Sequence, residues 1–475
     1  MTGLGQRAYW LAPYFLKRWM ASWSARRLDG QRYGPEYDAV LSEIRERDGW
    51  SAEQFAAYQN EALRRIVQLA GEHVPYYQRR FAEAGISPQD IRGVEDLSRL
   101  PILEKNVVRE FPTQLLNQTL DRASLILLHT SGTTGTPLDL YRDRRLSATA
   151  CAYFDARCHA VAGMQRRVNR SVSIGGHLVA PPWRTRPPFW VYNARWRQLY
   201  MSSSHLAPQY LDAYVDAIRE FAADYIEGYP SSVYAIARHI VDQKLEPVRM
   251  KACFTTAETL LEYQRDAISG AFCCWTYDQY GCGEMAVFAA ECREGSLHLS
   301  PEYGIVEVLD AQDRPVLPGE VGQLVCTSLV NHVQPFLRYR LGDLGCLLPG
   351  RCRCGSEMPM LGQIEGRIDA VLVTRDGRRI GRLDPVFKGA RGIVEAQVVQ
   401  DDLDRFRIRI VPAKDYTDND GRVVAANLAH RIGGGDIRVE VVPAIERTAA
   451  GKFQAVVSLL PRPSAAAASA SKHDG

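Results

Sequence analysis

The sequence predicts an α/β fold, in which a large N-terminal domain of layered, largely parallel sheets carries a barrel-like subdomain and precedes a small α+β domain. Three patterns support this prediction. Between residues 125 and 345, short apolar runs alternate with helical stretches, which is typical of layered α/β sheets. Residues 296–330 contain strands separated by turn signals at 313–315 and 318–320, which favours antiparallel or barrel-like pairing. After Gly366 the elements become shorter, which indicates a separate small domain.

Composition and charge narrow the class of protein. The 475 residues can bury a large core, and contents of 46% hydrophobic and 24% charged residues are ordinary for a globular protein. The net charge is +3 and carboxylates are interspersed with the arginines, so no basic stripe indicates a nucleic-acid partner. No apolar run has the length of a transmembrane segment, and basic residues interrupt the N-terminal apolar positions, unlike a signal peptide. We therefore expect a cytoplasmic protein with most of its 11 cysteines reduced.

A helical leader is predicted over about residues 1–120. Residues 8–27 mix aromatic and basic side chains, which fits a helix on a membrane surface. The apolar positions occupy more than one face, however, which favours a helix packed on the body of the protein. Residues 35–95 carry apolar side chains at three- and four-residue spacing, and we expect 75–77 to end that segment. Lys105 marks the start of a further helix.

The alternating region predicts elements with definite positions. Residues 125–128 form an apolar run that predicts a short buried strand. Further strands are expected at 170–174, 225–228, 250–255 and 275–280, with helices at 211–223 and 232–243 between them. In the small domain, strands are expected near 370–374, 393–400, 405–412 and 438–442, with a helix near 420–432. The Ala/Ser-rich tail at 464–475 predicts disorder.

The most informative motif follows the run at 125–128. Glycines let the backbone turn sharply so that its N–H groups face an anion, and hydroxyl side chains add donors for phosphate oxygens. A polar hairpin turn would use the same residue types, so this motif alone leaves both interpretations open. The motif consists of Thr130, Ser131, Gly132, Thr133, Thr134 and Gly135.

Three later motifs supply what a nucleotide site requires. Tyr280 and Gly281 end a predicted strand, so the ring could stack on a base, and Glu284 just beyond could hold Mg²⁺. Asp343 follows Gly342 at a strand end and could accept hydrogen bonds from two ribose hydroxyls. Lys452 follows a glycine on a C-terminal loop. Each motif also has an ordinary explanation, namely a strand-to-helix turn, a surface turn and a solvated lysine.

Together, in this order, the motifs resemble the adenylate-forming superfamily, and most of all its phenylacetate–CoA ligase branch with the CapK-like members. The resemblance extends over residues 57–460 and includes two leader motifs, at 73–77 and 100–103. It implies an N-terminal domain at 1–365 that binds ATP and the acyl substrate, and a hinge at 366–370 that contains Asp369. A small mobile C-terminal domain would occupy residues 371–463.

The resemblance also implies roles for matching residues. Ala257 and Glu258 would border the adenine, Tyr280 would stack near it, and Arg367 would assist Asp343 at the ribose. Lys452 would stabilise charge on the carboxylate and the α-phosphate. The implied catalytic group is Thr130, Glu284 and Lys452. The implied ATP contacts are Thr130, Ser131, Gly132, Thr133, Thr134, Gly135, Ala257, Glu258, Tyr280, Gly281, Asp343 and Arg367.

The implied reaction joins a carboxylic acid to a thiol in two steps. A carboxylate attacks the α-phosphorus of ATP with Mg²⁺ bound, and a thiol, usually that of CoA, then displaces AMP from the acyl-adenylate. The CapK resemblance keeps a second function open, in which the acyl group passes to a saccharide, lipid or amine in surface-polysaccharide or secondary metabolism. A third alternative is a non-catalytic binding relative. The assembly also stays open, with a homodimer as one alternative.

Two positions depart from the superfamily pattern. Leu138 replaces the lysine that many members carry after the proline of the loop, although an apolar residue there is common among CapK-like sequences. Gly283 replaces the Thr or Ser that usually precedes the metal-binding glutamate, so one hydroxyl contact to phosphate or metal is missing. The loop and Lys452 are intact, which favours activity.

Three cysteines and one histidine form a candidate zinc site. Cys292, His298, Cys352 and Cys354 are the usual number and type of ligands for a structural zinc ion, although their spacing matches no standard zinc finger. Some phenylacetate–CoA ligase relatives look similar here and carry zinc. The alternative is four unrelated reduced side chains, and we favour zinc because a Cys-x-Cys pair beside glycine seldom serves packing.

Overall fold

The computed structural model describes residues 9–129, 138–177, 179–181, 183–362, 364–367, 372–375, 379–380, 384–387, 390, 392–413, 415–447 and 453–460. The chain divides into two compact units, one reaching to Ile364 and the other running from Glu365 to Arg447 and resuming at Phe453. Each unit has its own apolar core. Among the helices of these residues, none combines the length and the apolar character that crossing a membrane requires. The predicted tail at 464–475 and most of the predicted hinge lie outside the described residues.

The helices and strands of the first unit follow the predicted alternation. Its α-helices are Tyr14–Arg32 (α1), Pro35–Glu46 (α2), Ala52–His73 (α3), Pro75–Ala84 (α4), Lys105–Glu110 (α5), Arg144–Tyr153 (α6), Leu211–Phe221 (α7), Pro230–Asp242 (α8) and Glu262–Phe272 (α9). A π-helical turn, Phe154–His159, continues α6. Short 3₁₀ helices lie at Pro88–Asp90, Val94–Arg99, Arg122–Ser124, Ala160–Ala162, Ser203–His205 and Pro208–Tyr210. Its strands are Ile126–His129 (β1), Asp139–Arg142 (β2), Ser171–Gly175 (β3), Trp190–Asn193 (β4), Gln198–Ser202 (β5), Tyr225–Gly228 (β6), Ala252–Thr256 (β7), Thr276–Gly281 (β8), Phe288–Glu291 (β9), Leu297–Leu299 (β10), Gly304–Leu309 (β11), Gly322–Ser328 (β12), Tyr339–Gly345 (β13), Leu347–Leu348 (β14) and Met360–Leu361 (β15).

The leader helices form where capping and spacing predict them. Ser51 and Gln54 make a capping box at the start of α3, which satisfies backbone N–H groups that a helix start leaves unpaired. Helix α3 buries Phe55 and Ile66 on one face, as their spacing predicts. We expected 75–77 to end the helical segment. Instead Pro75 occupies the first turn of α4. Proline is tolerated there because backbone N–H groups in the first turn have no partner within the helix.

A ten-stranded sheet forms the centre of the first unit, in the order β14-β15-β10-β9-β8-β7-β6-β3-β5-β4. The neighbours from β5 through β3, β6 and β7 to β8 pair in parallel, and β4, β9, β10, β14 and β15 pair antiparallel. Gly228 ends β6 where a Cβ would lie 2.1 Å from the Ile174 carbonyl oxygen, so only glycine fits this close approach. The sheet is therefore mixed, with a parallel centre.

The predicted strand at 125–128 exists, but the prediction that it is buried was wrong. Among the described residues, strand β1 pairs with β2 alone, as an antiparallel hairpin separate from the large sheet. A two-stranded ribbon leaves much of its surface in solvent, and Leu127 is 45% and Leu128 36% exposed. The segment Thr130–Pro137 that joins the two strands lies outside the described residues.

The predicted antiparallel subdomain is present as β11, β12 and β13. Strand β12 pairs with β11 over six residues and with β13 across a register irregularity. Its apolar side chains join the leader helices in one core, in which Leu63, Leu324 and Tyr339 are fully buried. This packing fixes the position of β13, which carries Asp343.

The second unit is a small α+β fold. Its elements are Gly366–Arg367 (β16), Leu372–Val373 (β17), Arg379–Ile380 (β18), Asp384–Phe387 (α10), Ile393–Gln400 (β19), Arg405–Pro412 (β20), Asp418–Ile432 (α11), Asp436–Val441 (β21) and Val456–Ser458 (β22). The sheet order is β21-β20-β19-β22, with β19 and β20 antiparallel and both outer strands parallel to their neighbours. Val424 and Leu428 of α11 pack on this sheet. Strand β22 was missing from the sequence prediction.

Candidate functional site

Two predicted motifs leave the sheet at the same edge. Strands β7 and β8 are parallel neighbours, with Thr255 aligned to Asp278 and Thr256 to Gln279. The Thr255 hydroxyl donates to Asp278 Oδ1 at 2.7 Å, which joins the two strand ends. Because ligands of open α/β sheets bind at the carboxyl ends of parallel strands, this edge is where a nucleotide site is expected.

The turn after β7 contains Ala257 and Glu258. Ala257 has a φ of 71°, a left-handed conformation that non-glycine residues seldom adopt. Glu258 Oε2 accepts a hydrogen bond of 3.1 Å from the backbone N–H of Ser231, in the first turn of α8. A carboxylate is stabilised at a helix N-terminus by the helix dipole. This partner of Glu258 was not predicted from the sequence. The bond holds the turn after β7 against the start of α8, at the edge of the sheet.

Tyr280 and Asp343 contact each other. The Tyr280 hydroxyl, at the end of β8, donates to Asp343 Oδ2 of β13 at 2.7 Å. Burial and the charge of Asp343 raise the pKa of the Tyr280 phenol well above its ordinary value, so the hydroxyl stays protonated and a donor at neutral pH. The sequence predicted both residues separately, and the contact joins the predicted adenine and ribose positions.

Glu284 is only 4% exposed and is held by neighbours distant in sequence. The hydroxyl of Tyr339, which is fully buried, donates to Glu284 Oε1 at 2.9 Å. The Asn331 amide donates to the Glu284 carbonyl at 2.9 Å, and the Ser328 hydroxyl to the next carbonyl, of Met285, at 2.6 Å. Tyr339 and Asn331 were assigned no role from the sequence, because these contacts span about fifty residues. We call Glu284 and Asp343 the tyrosine-held carboxylates.

The hairpin of β1 and β2 is connected to this site. Arg142, the last residue of β2, donates to the carbonyl of Gly283 at 2.7 Å. At the other end of the hairpin, His129 Nδ1 lies 2.8 Å from Asp139 Oδ1. The hairpin is therefore tied to the segment that carries Glu284 through Arg142, at the end opposite His129 and Asp139.

Several predicted site residues lie outside the described part of the chain. The side chain of Arg367 is among them, although its backbone belongs to β16. No geometry is therefore assigned to these positions, and their roles stay predictions. They are Thr130, Ser131, Gly132, Thr133, Thr134, Gly135, Asp369 and Lys452.

The four predicted zinc ligands meet at the far side of the large sheet. Cys292 follows β9, His298 lies in β10, and Cys352 and Cys354 lie in the loop between β14 and β15. Pairing among β9, β10, β14 and β15 brings these segments together, and the four ligand atoms lie within 4.8 Å of one another. We call these residues the Cys/His cluster.

The internal geometry of the Cys/His cluster suits a tetrahedral metal. The Sγ atoms of Cys292 and Cys352 are 3.7 Å apart, and Cys354 Sγ is 3.3 Å from His298 Nε2. Two sulfurs bound about 2.3 Å from one zinc ion would lie about 3.8 Å apart. His298 Nδ1 lies 3.0 Å from the Met358 carbonyl oxygen, so it carries the proton and leaves Nε2 as a lone pair directed at the sulfurs.

The thiols of the cluster differ in acidity. Partial burial opposes ionisation of Cys352, but hydrogen bonds from the Ser296 side chain and the Cys354 N–H lower its pKa to about 6. Burial and the neighbouring sulfurs of Cys352 and Cys292 raise the pKa of Cys354 to about 11. The first thiolate therefore forms readily, and a second one beside it requires a compensating positive charge.

The chain is similar to known proteins over most of its length. Residues 372–459 match the family model of the CapK C-terminal domain. Protein CapK of Staphylococcus aureus is 25% identical over 426 residues, which cover 86% of this chain and 88% of CapK. The phenylacetate-coenzyme A ligase of Pseudomonas putida is 30% identical over 336 residues, which cover 68% of this chain and 73% of that protein.

Solved structures agree on the fold. The crystal structure of 2-hydroxyisobutyryl-CoA ligase in complex with R3-HIB-AMP aligns with a TM-score of 0.68, covering 87% of this chain and 91% of that one at 22% identity. At that identity the match concerns the fold, which is that of adenylate-forming CoA ligases. The identity to the Pseudomonas protein over more than two thirds of its length is what decides the family. The chain belongs to the phenylacetate–coenzyme A ligase family of adenylate-forming enzymes.

Proposed function

We propose that the protein activates a carboxylic acid with ATP and transfers the acyl group to CoA, releasing pyrophosphate and AMP. The observation that carries the proposal is the pair of tyrosine-held carboxylates. They lie at a sheet edge in a chain whose relatives include phenylacetate–CoA ligases. A carboxylate oxygen of the acid attacks the α-phosphorus, and the bond to pyrophosphate breaks. The thiol sulfur then attacks the acyl carbon, loses its proton and displaces AMP.

The described residues would divide the work of binding ATP. Tyr280 and the turn at Ala257 would border the adenine, and Asp343 would accept the ribose hydroxyls in the position that the Tyr280 phenol gives it. Glu284 would hold Mg²⁺, which neutralises phosphate charge when bound. Its carboxylate fits this role because Tyr339 occupies Oε1 and fixes the orientation of the group. Adenylation needs such positioning and charge neutralisation more than covalent help from the protein.

The remaining roles rest on the sequence and the family. Residues 130–135 would surround the phosphates, and Lys452 would reach the α-phosphate, where one well-placed cation can lower the barrier by about 3 kcal/mol. Arg367 would assist at the ribose, and Asp369 would serve as the hinge. Since ATP and CoA are abundant in the cytoplasm, we retain the cytoplasmic location predicted from the sequence.

We further propose that the Cys/His cluster holds a structural zinc ion. Three sulfurs and one imidazole form a closed set that leaves no position for substrate, and the distances between them match a tetrahedral site. The ion would tie the loop between β14 and β15 to β9 and β10.

A second function is favoured by the match to CapK across 86% of the chain and to its C-terminal domain. In this alternative, adenylation is unchanged, but the acyl group passes to a hydroxyl or amine of a saccharide or lipid instead of CoA. The two functions share the site described above and differ only in the acceptor.

One assay separates these functions. The protein is incubated with ATP, Mg²⁺ and a panel of aryl and fatty acids, with and without CoA, and pyrophosphate and AMP are followed. Acid-dependent pyrophosphate release without CoA, with AMP accumulating only when CoA is added, supports the ligase. Acid-dependent pyrophosphate release whose AMP yield does not change when CoA is added supports the second function. If no acid causes pyrophosphate release, and Lys452→Ala gives the same background as the unaltered chain, the protein is a non-catalytic relative.

A further inference from the structure

Helix α1 has two dissimilar faces. Its inner face packs against β4 and α6 and buries Ala25 and the stem of Lys17. The Ser22 hydroxyl accepts from the backbone N–H of Ala194, and Asp29 Oδ1 accepts from the Trp196 indole at 2.7 Å. The helix is therefore fixed to the body of the protein along one side, as the sequence predicts.

The outer face carries a row of large apolar side chains in solvent. Leu11, just before α1, is 84% exposed, and Phe15, Trp19 and Trp23 are 73%, 63% and 57% exposed. The four-residue spacing of Phe15, Trp19 and Trp23 places them on one side of α1, where the rings of Trp19 and Trp23 stack with centroids 6.4 Å apart. We call these four residues the α1 stripe. Contiguous exposed apolar surface of this kind marks an interaction site, whereas single exposed residues do not.

The exposed charged side chains that α1 places beside the stripe are arginines. Arg18, Arg26 and Arg27 are exposed on the same helix, and Arg26 continues the line of the stripe beyond Trp23. Residues 9–28 contain no Asp or Glu. Asp29 is turned inward, where Arg195 and Trp196 bind its carboxylate. The surface therefore combines aromatic side chains with cations that no acidic residue of the stretch 9–28 balances.

We propose that the α1 stripe inserts into the interface of a bilayer that contains anionic lipids. Tryptophan favours the level of lipid headgroups, and arginines beside it can bind lipid phosphates while the rings enter the acyl boundary. A second copy of this chain is a poorer partner, because a two-fold contact through the stripe would bring the arginines of both copies together. Attachment along the surface needs no membrane-crossing helix.

The proposal concerns location and is independent of the adenylation chemistry. It puts α1 parallel to the membrane plane, with the stripe on the lipid side and β4 and α6 behind it. The arginines would bind the negative charges of lipid headgroups. Binding of the protein to the bilayer should therefore depend on the fraction of anionic lipid and on the salt concentration.

The test measures partition of the full chain onto vesicles. Vesicles of phosphatidylcholine alone are compared with vesicles that also contain phosphatidylglycerol, by flotation and by quenching of tryptophan fluorescence with brominated lipids. We expect binding and quenching only with the anionic vesicles. Trp19→Ser with Trp23→Ser should reduce the partition coefficient at least tenfold. Arg26→Gln with Arg27→Gln should reduce it by about twenty-five-fold, from roughly fivefold per arginine near an anionic surface.

The matched control is Trp275→Ser, because Trp275 is also exposed, at 49%, but lies in the loop before β8. It should bind vesicles like the unaltered chain, and thermal unfolding verifies that each variant is folded. Absence of binding to anionic vesicles, or equal binding by the double tryptophan variant, would overturn the proposal. So would a dimer in sedimentation that this variant dissociates, since the stripe would then join two copies. If the variants fail to fold, quenching of the unaltered chain still decides the question.

Discussion

The tyrosine-held carboxylates and the Cys/His cluster belong to the same unit, but the protein stabilises them differently. Glu284 and Asp343 each receive a hydrogen bond from a tyrosine hydroxyl, so each carboxylate has a partner that orients it. The Cys/His cluster gathers three thiols and an imidazole around one point, and thiolates that close together repel. The first arrangement is held by hydrogen bonds within the protein, whereas in our proposal a zinc ion holds the second.

Because of this difference, substitutions at the two sites should change different measured quantities, namely reaction rate and the free energy of unfolding. Changes at the carboxylates should affect chemistry with little effect on folding, and changes at the cluster should affect folding with little effect on chemistry. Three of the four predictions below test that separation and the last concerns the sheet edge beside it, in order of decreasing expected effect.

The largest effect is expected for Glu284→Gln. The amide keeps the size of the side chain but cannot hold Mg²⁺ as a carboxylate does, so acid-dependent pyrophosphate release should fall about a hundredfold or more. Initial rates across a Mg²⁺ titration measure it. Asp310→Asn, in an exposed turn after β11, is the control and should retain activity. A loss of less than threefold in Glu284→Gln would contradict a metal-binding role.

Removal of the ion from the Cys/His cluster comes next. Cys352→Ser should abolish bound zinc in metal analysis and lower the free energy of unfolding by about 3 kcal/mol, since metal binding to the folded state contributes directly to stability. Cys273→Ser is the control, because Cys273 is likewise a free cysteine and lies outside the cluster. Equal zinc content in both variants would exclude the site, and a large loss of pyrophosphate release would contradict a purely structural role.

A smaller effect is expected for Tyr339→Phe. This variant keeps the ring in the core but removes the donor to buried Glu284, which should cost about 2 kcal/mol, typical of a hydrogen bond to a charged group. The cost should appear as a raised Mg²⁺ requirement together with a modest loss of stability. Tyr303→Phe, another buried tyrosine ring of this unit, is the comparison. Identical Mg²⁺ dependence in the unaltered chain and Tyr339→Phe would show that Glu284 does not depend on this phenol.

The smallest effect concerns pH. Burial raises the pKa of Asp278 to about 7, with the charge of Glu291 adding to the rise and the Thr255 hydroxyl opposing it. The folded state thus binds this proton more tightly than the unfolded chain, and the resulting stability is present below about pH 4 and is lost as pH rises to 7. Asp278→Asn lacks this loss. Its free energy of unfolding, relative to the unaltered chain, should therefore increase by about 1–2 kcal/mol between pH 6 and 8 in urea titrations. A constant difference would contradict the raised pKa.

The sequence predicted elements best where the period of the pattern is clear. The predicted bounds of β6, β19 and β20 agree with the structure because short apolar runs between turn residues leave few alternatives. The burial of 125–128 was predicted wrongly, since an apolar run does not reveal that its strand pairs in an isolated hairpin.

The candidate site divides in the same way. Cys292, His298, Cys352 and Cys354 could be grouped from residue type alone, because few side chains of these types occur near each other without a shared purpose. The bond of Tyr339 to Glu284 could not be predicted, since the two residues are 55 positions apart and meet only through the pairing of β12 with β13 and the fold around it. Side chains that orient a ligand group carry no chemical signature of their own.

The backbone conformation at Met285, next to Glu284, limits which residues related sequences can carry at this position. Its φ of 57° lies in the left-handed region, and the Ser328 hydroxyl binds its carbonyl while Asn331 binds the carbonyl before it. A β-branched residue at 285 would resist this conformation, whereas glycine or asparagine would adopt it readily. Amino-acid substitution at position 285 is therefore restricted by the backbone conformation rather than by a catalytic role of the side chain. A substitution that alters no group in contact with substrate could still displace Glu284.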